Sequence, residues 1–282
     1  MASRPASSTS DTGAMMLLIW RGRVSSIFYR MKIKIKSKKI KNRFIYGDLL
    51  ANKKAKSIVI FLSGFSGSGE MPLLKNASKY FFRRGFSTIG FNFCNDNDGV
   101  QRKDAVKPEE MTLAIYPAEL KAVIDALGKK YSKIVLVGHS FGAIASILFL
   151  AKYKKYRKDA EIILWEPSFL PWKREWMKED FYFDKESELY HTKYSKEKIN
   201  RTFYNECIKT KSTTGIFKSL EKRVCIVATT KIGKKNAKEY FLGLHNKKDS
   251  KLVFINGAGH SFESKKHQKK LFNETISFLK AR

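Results

Sequence analysis

The pentapeptide Gly138-His139-Ser140-Phe141-Gly142 places a serine between two glycines, where an apolar run ends and a pattern of helical length begins. A sharp turn between a strand and a helix lifts a serine hydroxyl clear of a sheet, and small neighbours let the two elements pack closely. The start of the helix also offers backbone N–H groups and a favourable dipole to a developing oxyanion. We therefore predict that Ser140 is a nucleophile, and the alternative is an ordinary serine in a glycine-rich turn.

A serine nucleophile needs a general base, and the candidate is His260 in the segment "GAGHSF". His260 follows the last predicted strand and precedes the last predicted helix, so the chain order of nucleophile and base is that of known serine hydrolases. The turn is expected to orient His139 away from the reacting atoms. The remaining histidines are predicted to lie at the surface: His191, His245 and His267.

Strand and helix patterns alternate around these candidates. Short apolar runs rich in β-branched residues predict buried strands at 56–63, 86–93, 133–140, 160–167, 223–230 and 251–257. Helical patterns lie near 73–84, 115–131, 141–154, 234–246 and 265–280. The alternation predicts an α/β fold, a mostly parallel sheet covered by helices on both faces. The core is expected to comprise residues 31–167 and 221–282, and the aromatic-rich segment 168–220 is expected to be an inserted cap.

The charge balance is strongly basic, since 56 lysines and arginines face 26 aspartates and glutamates, a formal net charge of +30. The lysines are spread along the whole chain, which favours solvated faces and leads us to expect no nucleic-acid partner. A functional surface for polyanions is the alternative, and salt-dependent binding to DNA would distinguish the two.

The cysteines and the hydropathy indicate the redox environment of the protein and whether it could span a membrane. Cys94, Cys207 and Cys225 are far apart and form no CxxC pair, which argues against a disulfide framework or a zinc site and fits a reducing cytoplasm. Apolar runs stay well short of the ~20 residues that a membrane span needs. We expect a soluble cytoplasmic protein, monomeric or homodimeric.

Residues 1–30 differ in composition from the rest of the chain, because they are rich in serine, alanine and arginine and contain no lysine. We expect a disordered segment of upstream or expression-derived origin, with a targeting segment or a native arm as alternatives. Met31 is a plausible natural start, since the alternating "MKIKIK" that it begins predicts a half-buried strand.

Over roughly residues 40–280, the chain resembles the α/β-hydrolase superfamily, and within it the serine esterases of the cinnamoyl or feruloyl esterase and monoacylglycerol lipase types. The resemblance rests on "GHSFG", "GAGHSF", the loop "LSGFSGSGE" after a strand, and "EEMTLAIYPAELKAVIDAL" before the serine-bearing strand. Such enzymes hydrolyse carboxylic esters through an acyl-enzyme and need no cofactor. The resemblance implies the same for this chain, with a small-molecule ester as substrate.

One departure from the family concerns the loop that binds the oxyanion. The family loop usually reads His-Gly-Phe or His-Gly-Gly, whereas this chain has Ser63-Gly64-Phe65. The histidine is replaced, but the glycine that frees the backbone is kept. The resemblance therefore implies that the backbone N–H groups of Phe65 and Phe141 are the oxyanion donors.

A second departure concerns the acid of the triad. The family normally places an aspartate after the strand that corresponds to "RVCIVA", and at those positions this chain has Thr230, Lys231 and Ile232. Some members take the acid from the preceding strand, which here ends on Glu166, and the resemblance implies that Glu166 orients His260. Alternatives are a structural role for Glu166, the later Glu239 as the acid, or no acid at all.

These features lead us to expect a serine carboxylesterase for short- to medium-chain or aryl esters. The inserted cap is expected to contact the substrate through Trp172, Trp176, Phe181 and Phe183. An acyltransferase, a thioesterase or a non-catalytic ligand-binding protein are the alternatives. Acidic residues are sparse around the candidate site, so a metal is not expected.

Overall fold

The computed structural model describes residues 16–23, 28–65, 67–93, 106–127, 130–193 and 197–281. Cys94 lies outside these ranges, and so do residues 1–15 and 24–27, on which part of the expectation for the first 30 residues falls.

The described residues form twelve strands, all shorter than ten residues. They are β1 (Met16–Arg23), β2 (Phe28–Lys36), β3 (Phe44–Asn52), β4 (Ser57–Leu62), β5 (Ser87–Asn92), β6 (Lys133–His139), β7 (Ala160–Trp165), β8 (Phe181–Asp184), β9 (Leu189–Thr192), β10 (Lys198–Ile199), β11 (Val224–Thr229) and β12 (Lys251–Ile255). The helices in the same part of the chain are α1 (Pro72–Phe82), α2 (Ile115–Leu127), α3 (Phe141–Lys152), α4 (Arg174–Asp180), α5 (Arg201–Lys209), α6 (Thr213–Lys218), α7 (Lys234–Leu242) and α8 (Lys265–Lys280). None of these helices is both long and apolar enough to cross a membrane.

Nine of the strands form one sheet in the order β1-β2-β3-β5-β4-β6-β7-β11-β12. The strands from β5 to β12 in this order run parallel, whereas β1, β2 and β3 add to the sheet in antiparallel pairs. The six predicted strands and the five predicted helices are confirmed, with differences of a few residues at their ends. Because the parallel strands point the same way, the segments that follow β6, β7, β11 and β12 emerge at one edge of the sheet.

The sheet is covered on both faces, and successive strand residues contribute to opposite faces. In β4, Ile58 and Ile60 pack in the larger core cluster, which includes α2, α3 and part of segment 168–220. Their neighbours Val59 and Phe61 pack in the second cluster, with the apolar sides of α1 and α8. This burial on both sides explains why the strands appear in the sequence as continuous apolar runs.

Two strands of the large sheet, β1 at its edge and β3 within it, were not anticipated from the sequence. Met16–Arg23 forms β1 and pairs with β2 at the edge of the sheet, in a part of the first 30 residues where the sequence led us to expect disorder. Strand β3 was missed because Gly47 interrupts its apolar pattern. A Cβ at Gly47 would lie 2.7 Å from the Gly90 carbonyl oxygen, so the close approach of β3 and β5 requires a glycine there.

Segment 168–220, between β7 and β11, contains α4, α5 and α6 and a separate three-stranded sheet in the order β10-β9-β8. It is anchored to the core by hydrogen bonds, such as those that the Asn200 side chain donates to the Glu109 and Met111 carbonyl oxygens, and by buried side chains. Phe203 of α5, for example, is fully buried in the larger cluster. The segment therefore lies against the same face of the sheet as α2 and α3.

Candidate active site

Ser140 lies at a strained turn between β6 and α3. Its φ is 52° and its ψ is −115°, a conformation that residues with side chains rarely adopt. A Cβ at Gly138 would lie 2.4 Å from the Gly142 carbonyl oxygen, and a Cβ at Gly142 would lie 2.3 Å from the Leu62 carbonyl oxygen. Both glycines are thus required for β4, β6 and α3 to approach one another. This close packing of backbone explains why glycines flank Ser140 at positions 138 and 142.

Glu166 follows β7 and presents its carboxylate to the neighbouring strand. Its side chain is 1% exposed, and its oxygens accept hydrogen bonds from the Thr229 backbone N–H at 2.6 Å and the Thr229 hydroxyl at 2.8 Å. His260 Nδ1 lies 3.9 Å from Glu166 Oε1. Burial alone would raise the pKa of Glu166, but the interactions with His260 and Thr229 outweigh it and lower the pKa. The carboxyl group is therefore an anion that faces the histidine.

His139 is turned away from solvent and packs under His260, with ring centroids 4.9 Å apart. Its Nε2 lies 2.9 Å from the His260 carbonyl oxygen, so Nε2 carries the proton and donates. Burial, and then the proximity of His260, lower the pKa of His139 to about 4. His139 is therefore neutral at pH 7, and it ties the segment that carries His260 to the end of β6.

The loop after β4 passes directly beside Ser140. A Cβ at Gly64 would lie 3.2 Å from Ser140 Cβ and 3.6 Å from Ser140 Oγ, so the bare backbone of Gly64 contacts the turn at Ser140. Phe141 is the first residue of α3, and its N–H therefore has no acceptor within the helix. The N–H groups of Phe65 and Phe141 belong to the two backbone segments that flank the Ser140 hydroxyl.

Ser168 is the hydrogen-bond partner of the Ser140 hydroxyl within the described residues, with 3.2 Å between the two Oγ atoms. The Ser168 backbone N–H also donates to the Ser140 carbonyl oxygen at 3.2 Å. Two side chains of α7 fix this stretch, since Asn236 donates to the Pro167 carbonyl and Tyr240 donates to the Ser168 carbonyl. A second hydroxyl is thus held next to the candidate nucleophile.

Three solved structures illustrate what the chain is similar to. Est1E from Butyrivibrio proteoclasticus is 17% identical with a TM-score of 0.67, and the match covers 88% of this chain and 97% of that one. The same protein with ferulic acid bound is 18% identical with a TM-score of 0.69, over 87% and 97% of the two chains. Dienelactone hydrolase from Anabaena variabilis is 11% identical with a TM-score of 0.60, over 89% and 97%. No family model and no curated protein matches the sequence.

The protein has the α/β-hydrolase fold. The predicted fold class is thereby confirmed. In this fold the nucleophile, the acid and the histidine occur in that chain order, and the candidates Ser140, Glu166 and His260 follow β6, β7 and β12 in the same order.

Three of the four aromatic residues predicted to contact a substrate, Trp172, Trp176 and Phe181, lie together in this α/β-hydrolase fold. Trp172 lies near Phe65, at 6.3 Å between ring centroids, and near Phe141, at 5.9 Å. Phe181 stacks on Trp172 and Trp176 meets it edge-on, with Trp176 47% exposed.

Phe183, by contrast, packs against Tyr190 of the small sheet and under the Arg201 guanidinium. The other sequence-predicted candidates also lie apart from the Ser140 turn. Glu239 is exposed on α7, His245 is exposed, and His191 lies 3.6 Å from Asp184 within the small sheet.

Sequence reasoning missed three residues that the α/β-hydrolase fold brings to this site: Thr229, Ser168 and Phe203. The ring of Phe203 stacks on Phe65 at 5.8 Å. A threonine at a strand end and a serine after Glu166-Pro167 have no distinctive pattern. The one available signal was position, since Thr229 ends the strand next to β7 and Ser168 lies two residues after Glu166.

Cysteine and metal chemistry are not supported by the described residues. Cys207 and Cys225 are buried, and burial raises the pKa of both thiols, that of Cys225 to about 12. Both thiols are therefore protonated at neutral pH and poor nucleophiles. Within the described ranges, no group of three or more histidine, cysteine, aspartate or glutamate side chains could hold a metal ion.

Proposed function

We propose that the protein is a serine carboxylesterase that hydrolyses small esters through an acyl-enzyme. Ser140 is the nucleophile, His260 is the general base and acid, and Glu166 orients His260. The backbone N–H groups of Phe65 and Phe141 bind the oxyanion. The observation that carries the proposal is the buried Glu166 carboxylate 3.9 Å from His260 Nδ1, one strand away from the strained Ser140 turn.

The first half of the reaction acylates the enzyme. Ser140 Oγ attacks the carbonyl carbon while its proton passes to His260 Nε2, and the carbonyl oxygen becomes an oxyanion. The oxyanion then collapses, the bond to the alcohol oxygen breaks, and His260 returns its proton to the departing alkoxide. The Glu166 anion stabilises the imidazolium that exists between these transfers.

The second half releases the acid. Water enters, His260 removes its proton, and the resulting hydroxide attacks the acyl carbon. Collapse of the second oxyanion breaks the bond to Ser140 Oγ, which takes the proton back from His260. No oxidant, metal or cofactor takes part.

The substrate class follows from the aromatic side chains around Ser140. Phe65 is partly exposed next to the nucleophile's turn, and its ring packs against the buried rings of Phe141, Trp172 and Phe203. Flat apolar rings favour an aryl group or a short acyl chain. Ferulic acid is bound in one of the similar structures, so aryl esters such as methyl ferulate belong in the first substrate panel.

The direct test is hydrolysis of p-nitrophenyl butyrate and methyl ferulate by the wild type and by Ser140→Ala, together with labelling by a fluorophosphonate. We expect hydrolysis and labelling by the wild type, and loss of both in a folded Ser140→Ala protein. A wild type that neither hydrolyses esters nor reacts with the probe would favour a ligand-binding protein. Acyl thioesters in the same panel would identify a thioesterase.

A further inference from the structure

The two hydroxyl groups of Ser140 and Ser168 are 3.2 Å apart, Oγ to Oγ. We infer that Ser168 is a further catalytic residue, which donates a hydrogen bond to Ser140 Oγ whenever that oxygen gains negative charge. The inference rests on the proposed function, because it assumes that Ser140 is the nucleophile.

The position of Ser168 does not depend on its own side chain. Its backbone N–H donates to the Ser140 carbonyl oxygen at 3.2 Å, and its carbonyl accepts from the Tyr240 hydroxyl at 2.9 Å. Tyr240 is buried and its hydroxyl also pairs with Thr213 Oγ1 at 2.8 Å. The backbone of Ser168 is thus tied to the nucleophile on one side and to α7 and α6 on the other. The hydroxyl itself is free to serve the reaction.

Proton counting fixes the direction of the hydrogen bond. A serine hydroxyl has one proton to donate and two lone pairs to accept. In the proposed mechanism Ser140 must give its single proton to His260, so it cannot also donate to Ser168. Ser168 therefore donates and Ser140 accepts. This arrangement leaves the Ser140 proton available to the base.

The bond acts at a different atom from the oxyanion hole. The N–H groups of Phe65 and Phe141 stabilise charge on the carbonyl oxygen of the tetrahedral intermediates. Ser168 instead stabilises charge on Ser140 Oγ, which grows as the proton leaves during attack. Charge grows on the same atom again when the bond from acyl carbon to Oγ breaks in the second half. The contribution requires no additional reactant and no net proton transfer by Ser168.

Ser168 and Glu166 lie in the same short segment after β7. Ser168 follows Glu166 and Pro167, so the end of one strand, β7, carries both the group that orients the base and the donor to the nucleophile. Pro167 separates them, and Asn236 holds its carbonyl oxygen at 3.2 Å. The orientation of His260 and the hydrogen bond to Ser140 therefore depend on one short rigid stretch.

The test compares Ser168→Ala, Ser168→Thr and Ser168→Val with the wild type, and uses Ser132→Ala as a matched control. Ser132 directly precedes β6, whereas Ser140 directly follows it, and Ser132 is exposed and donates to the Lys56 carbonyl at that opposite end. The measurements are kcat and KM with p-nitrophenyl butyrate, and the rate of inactivation by diisopropyl fluorophosphate. The last rate reports the reactivity of Ser140 with a small reagent.

We expect Ser168→Ala to lower both kcat and the inactivation rate by about ten- to hundredfold, the range for one lost hydrogen bond to a charged oxygen, with KM nearly unchanged. Ser168→Thr should retain most of both rates, whereas Ser168→Val, of equal size but without the hydroxyl, should not. If the alanine variant does not fold, the threonine and valine pair decides. Ser132→Ala should behave as the wild type.

Two outcomes overturn the inference while leaving the proposed function intact. In one, an active wild type keeps its kcat and inactivation rate in Ser168→Ala and Ser168→Val. In the other, the rates increase, which would mean that Ser168 holds Ser140 in an unreactive position. A wild type that is inactive and unlabelled contradicts the proposed function instead.

Discussion

The side chain of His139 donates a hydrogen bond to the backbone carbonyl of His260, with 2.9 Å between Nε2 and the oxygen. The residue next to the proposed nucleophile thus holds the loop that carries the proposed base. From the sequence we expected only that His139 would be directed away from the reacting atoms. The contact gives this residue a positioning role, because it joins the segments after β6 and β12.

His139→Phe should therefore lower kcat about tenfold with little change in KM, because the ring is kept but the bond that fixes His260 is lost. His139→Gln keeps a neutral N–H donor on a side chain of similar reach and should retain more of the activity. The measurement is steady-state hydrolysis of p-nitrophenyl butyrate, with the exposed His245→Gln as the control. Equal kcat values in the phenylalanine variant and the wild type would contradict the positioning role.

The buried His139 should also make stability depend on pH. Its pKa is about 4 in the folded protein and about 6.5 in the unfolded chain, so between these values the unfolded state binds more protons. The free energy of unfolding should therefore fall as the pH is lowered, by about 2 kcal/mol from pH 7 to pH 5. Urea unfolding of the wild type and His139→Phe at both pH values tests this. The variant should lack this component, and an equal fall in both proteins would assign the effect to other groups.

Glu166→Gln should lower kcat by a factor of about 100 or more, while the fold and KM remain nearly unchanged. The substitution keeps the size of the side chain but removes the negative charge that stabilises the imidazolium of His260. Glu239→Gln is the matched control, since Glu239 is exposed on α7. If Glu166→Gln keeps more than about half of the wild-type kcat, the acid assignment is wrong.

Gly233→Ala tests the same carboxylate without altering it. A Cβ at Gly233 would lie 2.4 Å from Oε2 of Glu166, so the methyl group must displace the carboxylate from Thr229 and His260. We expect a loss of kcat approaching that of Glu166→Gln. Gly215→Ala is the control, because a Cβ there meets its nearest neighbour at 3.7 Å, and a helical alanine should be neutral or stabilising. Similar kcat values in both alanine variants would show that the site tolerates the shift.

The acyl-chain preference should depend on Trp172 more than on Trp176. We expect esters of about C2 to C8 to be preferred, because Trp172 contacts Phe65 and Phe141 beside Ser140. Trp172→Leu should move the optimum of kcat/KM to longer p-nitrophenyl esters. Trp176→Leu, at a site 47% exposed, should leave it nearly unchanged. Greater wild-type activity on emulsified long-chain triglycerides would contradict the prediction.

Local patterns in the sequence were enough to predict the scaffold of the site. The alternation of buried strands and helices predicted the parallel part of the sheet, because strands buried on both faces are continuous apolar runs. The glycines at 138 and 142 predicted the turn at Ser140, because a side chain at either position would collide with backbone. Strand β3 was not predicted, since Gly47 serves a contact with β5 that no local pattern reveals.

The sequence by itself determined the fold class and singled out Ser140 and His260 as candidates. Only the tertiary structure brought Glu166 to 3.9 Å from His260, and Ser168 to 3.2 Å from Ser140. These distances depend on the order and twist of β6, β7 and β11 and on the path of the loop after β12. Such relationships join residues far apart in the chain, and a periodic pattern records only which side of its own strand or helix a residue occupies.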